Sequence, residues 1–178
     1  MVYVALLRGI NVGGKNRVEM KELKAVFEEA GMTSVRTYIN SGNVVFSSTI
    51  RARARLASLV EEAVARRFGF KIDVLVRDVK SMRRVVEAMP GHWTNDAAMK
   101  CDVMFLWDEV DRPSILKQVR FKPEIEDVRY VPGAVIWRAD RENVTRSGYM
   151  KLAGTPLYKR MTIRNCNTTR KLLELMEA

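Results

Sequence analysis

The chain has 178 residues, 47% hydrophobic and 29% charged, with five prolines and ten glycines. That is ordinary for a globular protein of one compact domain or two small, closely packed ones. Lys and Arg exceed Asp and Glu by ten and the pI is near 9.9. No run approaches the ~18 uncharged apolar residues of a membrane span, and one histidine with two cysteines rules out a Cys/His zinc cluster by count.

Residues 2–7, Val-Tyr-Val-Ala-Leu-Leu, form an unbroken apolar run. This predicts a strand covered on both faces rather than a cleavable signal, and a cytoplasmic location is the expectation. A glycine-rich loop follows. Then Met20, Leu23, Phe27 and Ala30 recur at helical spacing, with Gly31 placed to end the helix. The alternation at 34–39 predicts a half-buried strand, and Asn40-Ser41-Gly42-Asn43 turns it into a second strand, Val44-Val45-Phe46. Leu56, Leu59, Val60, Ala63 and Val64 draw the stripe of a helix over 50–68, capped by Ser48 or Thr49 and stopped by Gly69. With a strand at 72–76, residues 1–77 read β-α-β-β-α-β, the order of a ferredoxin-like unit.

Residues 78–178 read as a looser copy. Asp78 caps a helix ending at Pro90, and Cys101–Trp107 is the next strand. A short helix opens at Pro113, and strands around 126–131 and 134–138 are joined by Pro132-Gly133. Helical pieces near 141–153 and 156–161 precede a terminal helix from Thr169. The fold class is therefore α+β: two ferredoxin-like (βαββαβ-type) subdomains packed closely together, with mixed or antiparallel sheets and helices. The strands at 2–7, 72–76 and 103–107 are apolar on both faces, and the third strand offers one aromatic, Phe46. Such sheets cannot display stacked aromatics to single-stranded RNA, so a site is expected at loop ends or at the junction of the halves.

Three polar stretches fit that expectation. From Arg8 to Asn16, Gly13 and Gly14 permit close backbone approach, while Arg8 and Lys15 add charge and Asn11 an amide beside a helix N-terminus. The spacing matches neither common phosphate-binding glycine motif. The hairpin turn supplies Asn40, Ser41 and Asn43, which a turn alone would also explain. The third stretch, 162–171, places Arg164, Asn165, Asn167 and Thr168 before the last helix, with Asn167 or Thr168 competent as its N-cap. Arg146 lies upstream. Glycines serving only turn geometry remain the alternative reading.

The stretches Leu6–Gly14, Tyr38–Phe46 and Thr162–Thr168 together resemble a bacterial family, domain of unknown function 1697. The resemblance spans nearly the whole chain. It implies an α+β fold of two related subdomains and no assigned activity. Thr145-Arg146-Ser147 with Lys151-Leu152 resembles that family's Gly-Arg-Ser-Lys-Leu stretch, with Thr for Gly and Gly148-Tyr149-Met150 interposed. Cys166 stands where the resemblance leads one to expect an aromatic.

The leading expectation is a phosphate-bearing small molecule or nucleotide, held where the three stretches converge. Nucleic-acid binding through the basic surface (16 basic against nine acidic groups in residues 1–90) and a ligand-free interaction module are the rivals. The cofactor is not legible in the sequence and no metal-ligand set is singled out, with metal-dependent hydrolysis by carboxylates alone left open. Ser-His-Asp or Cys-His chemistry would have to use His92, which sits in a Pro-Gly-His-Trp loop and reads as an exposed turn residue.

Overall fold

The computed structural model describes residues 1–14 and 16–178; Lys15, one of the cations expected at the site, lies outside them. The chain divides into two compact units, Met1–Lys80 with Leu172–Ala178, and Ser81–Lys171. No helix among the described residues is long and apolar enough to cross a membrane.

In the first unit, β1 (Val2–Arg8), β2 (Thr33–Tyr38), β3 (Asn43–Ser47) and β4 (Asp73–Asp78) alternate with α1 (Met20–Glu29) and α2 (Arg53–Phe68). The sheet order is β2-β3-β1-β4, with every neighbouring pair antiparallel. That is the ferredoxin-like arrangement, with the chain's first strand in the middle. Period-2 alternation sends Tyr3, Ala5, Leu7, Val44, Phe46, Val74 and Val76 into one core with Leu23 and Phe27 of α1 and Leu56, Val60 and Val64 of α2. Phe46 stacks on Tyr3 at 5.7 Å and meets Phe27 edge-on at 5.4 Å, so the single aromatic of β3 is core. The intervening residues Val4, Leu6, Val45 and Leu75 are buried too.

In the first unit the helix ends differ from expectation in one place. Gly69 caps α2 in the left-handed conformation, with its N–H on the Ala65 carbonyl. At the other end α2 starts from Ala52 without a side-chain cap. The Ser48 hydroxyl accepts the Ile50 N–H instead, closing a turn before the helix begins.

The second unit repeats the order. α3 (Val79–Glu87) leads from β4 into it; then β5 (Met99–Leu106), β6 (Asp127–Val131), β7 (Ala134–Asp140) and β8 (Met161–Asn165) form an antiparallel sheet ordered β6-β7-β5-β8. Its crossovers are not long helices. Two 3-10 segments, Asp108–Val110 and Pro113–Gln118, fill the first; Arg141–Arg146, the single turn α4 (Tyr149–Leu152) and Pro156–Arg160 fill the second. Proline opens two of these segments, where its missing N–H is no loss. Strand β8 and the start of α5 (Cys166–Glu177) replace the expected polar run and the helix from Thr169. The run reads as loop because Thr162 and Arg164, on the face of β8 opposite Met161 and Ile163, are polar yet buried.

Glu126, only 5% exposed, organises this unit. Its carboxylate accepts the Trp137 indole N–H at 2.8 Å and the backbone N–H groups of Gly148 (3.0 Å), Tyr149 (3.1 Å) and Lys122 (2.5 Å). Tyr149 stacks on Trp137 at 4.2 Å and donates to Asp102, which also pairs with Lys100. Gly148 is required here because a Cβ would lie 2.0 Å from the Arg120 carbonyl oxygen. Burial alone would raise the Glu126 pKa, but the donors around it outweigh that and hold it below its ordinary 4.5. A depressed carboxyl pKa stabilises the fold above the ordinary value, and that contribution is lost as pH falls through the folded one. Glu126→Gln is expected to cost about 1–3 kcal/mol at neutral pH, since one amide oxygen cannot satisfy the same donors. It should also flatten the loss of stability below pH 4.5, read from denaturant melts across pH.

Candidate functional site

β1 delivers the chain at Arg8, half-buried opposite Asp73 on β4, into the glycine loop. The loop is built from left-handed backbone: φ is positive at Gly9, Asn11, Gly13, Gly14 and Asn16. It is closed by the Asn11 N–H on the Asn16 carbonyl at 3.1 Å and by the Asn16 amide on the Gly9 carbonyl at 3.1 Å. The Asn11 side chain does more. Its Oδ1 accepts the Val18 N–H at 2.8 Å, and its Nδ2 donates to the Val18 carbonyl at 2.9 Å and the Asn40 carbonyl at 3.0 Å. One amide therefore pairs with the strand-like entry to α1 and ties it to the hairpin turn.

The hairpin comes up against the loop at Gly42. The Leu7 N–H donates to the Gly42 carbonyl at 2.8 Å, φ there is 73°, and a Cβ would lie 2.8 Å from the Leu7 Cβ. Asn43 is wholly buried, with its Nδ2 on the Tyr38 carbonyl (3.1 Å) and the Ser41 hydroxyl (3.0 Å). Ile39 adopts φ 48° and is half exposed. A β-branched side chain there is a true outlier, since its branch crowds the backbone.

Between the loop and α1 lies an open hollow of about 870 Å³, lined by Asn11, Gly14, Arg17, Val18, the first turn of α1, Asn40 and Phe68. α1 starts from Glu19 with no side-chain cap. Lys21 and Glu22 of its first turn face the hollow, as does Glu19, and Glu22 lies 3.9 Å from Arg67.

The first two polar stretches thus meet within one unit. The third belongs to the second unit, where its residues hold the β8-to-α5 junction. Arg164 is 8% exposed and donates to the Thr162 hydroxyl at 3.0 Å and the Ile163 carbonyl at 2.8 Å; burial lowers its guanidinium pKa to about 10. Asn165, rather than Asn167 or Thr168, is the cap: its Oδ1 accepts the Thr168 N–H at 2.8 Å. The Asn167 amide donates to the Asn95 carbonyl, Thr168 is buried, and Arg146 is exposed with its guanidinium on the Asn143 side chain. His92 is exposed. No group of three or more metal-ligating side chains occurs among the described residues.

The sequence reading did not select Arg17, Lys21 or Phe68. The two cations flank a legible helix start, so a signal existed. Phe68 had none, because only the packing of α2 brings its ring to the hollow.

These features describe an α+β protein of two ferredoxin-like units, the first with a glycine-rich loop leaving the end of its central strand β1. The chain belongs to the family described as protein of unknown function DUF1697, whose model matches residues 1–137 and so spans the glycine loop and the hairpin. No curated protein matches it. Among solved structures it is similar to the conserved bacterial protein SP0830 from Streptococcus pneumoniae, with TM-score 0.83, 29% identity and 98% of each chain covered.

Three substitutions test the loop geometry. Gly42→Ala is expected to cost about 2 kcal/mol or more, from the positive φ and the contact with Leu7. Asn11→Ala should cost about 2–4 kcal/mol through three lost hydrogen bonds and left-handed strain, and Asn11→Gly less, because the strain is then absent. Denaturant melts of the three variants read the order directly.

Proposed function

We propose that the protein binds a phosphate-bearing small molecule in the cytoplasm, in the hollow between the glycine loop and the start of α1. The observation that carries this reading is the density of left-handed backbone in two abutting loops, three of its residues, Asn11, Asn16 and Ile39, being non-glycine. Seven residues, Gly9, Asn11, Gly13, Gly14, Asn16, Ile39 and Gly42, have positive φ there, and non-glycine residues so placed cost about 1–3 kcal/mol each. Strain of that kind collects where a backbone is shaped for a ligand.

The charges support the same reading. Lys21 sits in the first turn of α1, and Arg17 just before it. Cations at a helix N-terminus oppose the macrodipole, so neither is there to stabilise the helix. An anion in the hollow would gain both cations, the dipole and the uncapped N–H groups of the first turn. Gly13 and Gly14 leave main-chain N–H groups open to close approach. Glu19 and Glu22 offer acceptors, and the Phe68 ring an apolar wall. That combination suits a phosphate carried on a hydroxyl-bearing body, such as a nucleotide or sugar phosphate, better than inorganic phosphate.

Thermal melts with nucleotides, sugar phosphates and inorganic phosphate test this. At a hundredfold excess over Kd the organic phosphates should add about 2.7 kcal/mol of stability. Arg17→Ala with Lys21→Ala should abolish that shift, yet leave the unliganded protein as stable as before or up to ~1 kcal/mol more so, since the dipole is relieved. No shift with any phosphate compound overturns the reading.

A further inference from the structure

The second unit holds two thiols that the loop site does not use. Cys101 lies on β5 and Cys166 opens α5; both are free and fully buried. The β5–β8 ladder sets Asp102 opposite Asn165. Cys101 and Cys166 are the next residues beyond that last ladder pair, one still on β5 and the other at the start of α5. The adjoining Asp102–Asn165 pair has the ladder's Cα spacing of about 4.5–5.5 Å, which brings the two neighbouring cysteines close to the roughly 4.4–6.8 Å that a disulfide spans. The two side chains already hydrogen-bond each other.

The sulfurs are not equivalent. The hydrogen bond from Cys101 lowers the Cys166 thiol to about 7, aided by the Arg170 charge and the Asn167 N–H and opposed by burial. Cys101, engaged in that bond and desolvated, is pushed up. The pair therefore offers one thiolate near neutral pH and one protonated thiol beside it. Arg170 secures the surroundings by donating to the Trp93 and Pro90 carbonyls at 2.7 and 3.0 Å. The Trp93 carbonyl, which also faces the Cys166 sulfur at 3.7 Å, thus keeps a donor if the thiol proton is lost.

We propose that Cys101 and Cys166 form a two-electron oxidation site for small peroxides, closing to an intramolecular disulfide that joins β5 to the first turn of α5. The Cys166 thiolate attacks one peroxide oxygen, the O–O bond breaks, and hydroxide leaves with an S–O bond formed on Cys166. The Cys101 sulfur then attacks the Cys166 sulfur. The S–O bond breaks, the S–S bond forms, and the protons from the two thiols complete two waters. The thiol pair is oxidised by two electrons and the peroxide is reduced by two. Because both thiols are buried, reaction goes through local opening, which admits a small peroxide far more readily than a bulky disulfide such as oxidised glutathione.

The test uses the reduced full chain, treated with hydrogen peroxide, then denatured, alkylated and weighed. The expected product has lost two hydrogens, resists alkylation at both cysteines and yields a peptide linking residues 101 and 166. Cys101→Ser, or Cys101→Ala should the serine disturb the core, is expected to gain oxygen at Cys166 under the same treatment. Cys166→Ser should keep Cys101 alkylatable, and oxidised glutathione should act at least tenfold more slowly than peroxide on the wild type. Wild-type protein that emerges with both thiols alkylated, or linked only between molecules, overturns the proposal.

Discussion

The side-chain amide of Asn11 holds the first unit's working end together. Its oxygen and nitrogen engage the backbone of Val18 on both sides, and the nitrogen also reaches the Asn40 carbonyl. A side chain that pairs like a short piece of strand can hold two irregular loops against each other where no ladder continues. With Gly42 pressed onto Leu7 and Ile10, it makes the glycine loop and the hairpin turn one surface. Asn11 itself sits at φ 54°, a conformation asparagine tolerates better than most residues. The side-chain amides of Asn11 and Asn43 thus hold backbone, while the charged groups that face the hollow are Arg17, Lys21, Glu19 and Glu22.

The two units share a strand order but solve the same covering problem differently. The first lays two amphipathic helices on its sheet, with the Phe27–Phe46–Tyr3 aromatic contacts at their centre. The second has short 3-10 segments in both crossovers, and such segments bury less apolar surface per residue than a long amphipathic helix. A buried carboxylate compensates. Glu126 gathers four donors from three segments, which pins the irregular crossovers to Trp137. A charged acceptor makes stronger bonds than a neutral one, so a single side chain can organise what regular secondary structure does not.

That difference explains which elements were legible. Helices α1 and α2 and strands β1, β5 and β7 carry strong periodic or unbroken apolar signals, and Gly31 and Gly69 mark helix ends by their need for positive φ. Strand β8 carries no such signal, because Thr162 and Arg164 are buried polar residues whose hydrogen bonds are made within the fold. The caps were misplaced for a related reason. Ser48 and Asn167 are competent to cap, but each has another partner in the folded chain, Ile50 and Asn95.

By itself the sequence determined the α+β class, the doubled strand order and the presence of the glycine loop, since hydrophobic period and glycine backbone freedom are local properties. Tertiary structure alone decided which polar groups were already engaged. It turned Asn11, Asn43 and Asn165 to hold backbone, brought Phe68 to the hollow, and set Cys101 and Cys166 just past the end of the β5–β8 ladder. Hydrogen-bond partners and strand register are settled between residues far apart in the chain, and no local pattern encodes them.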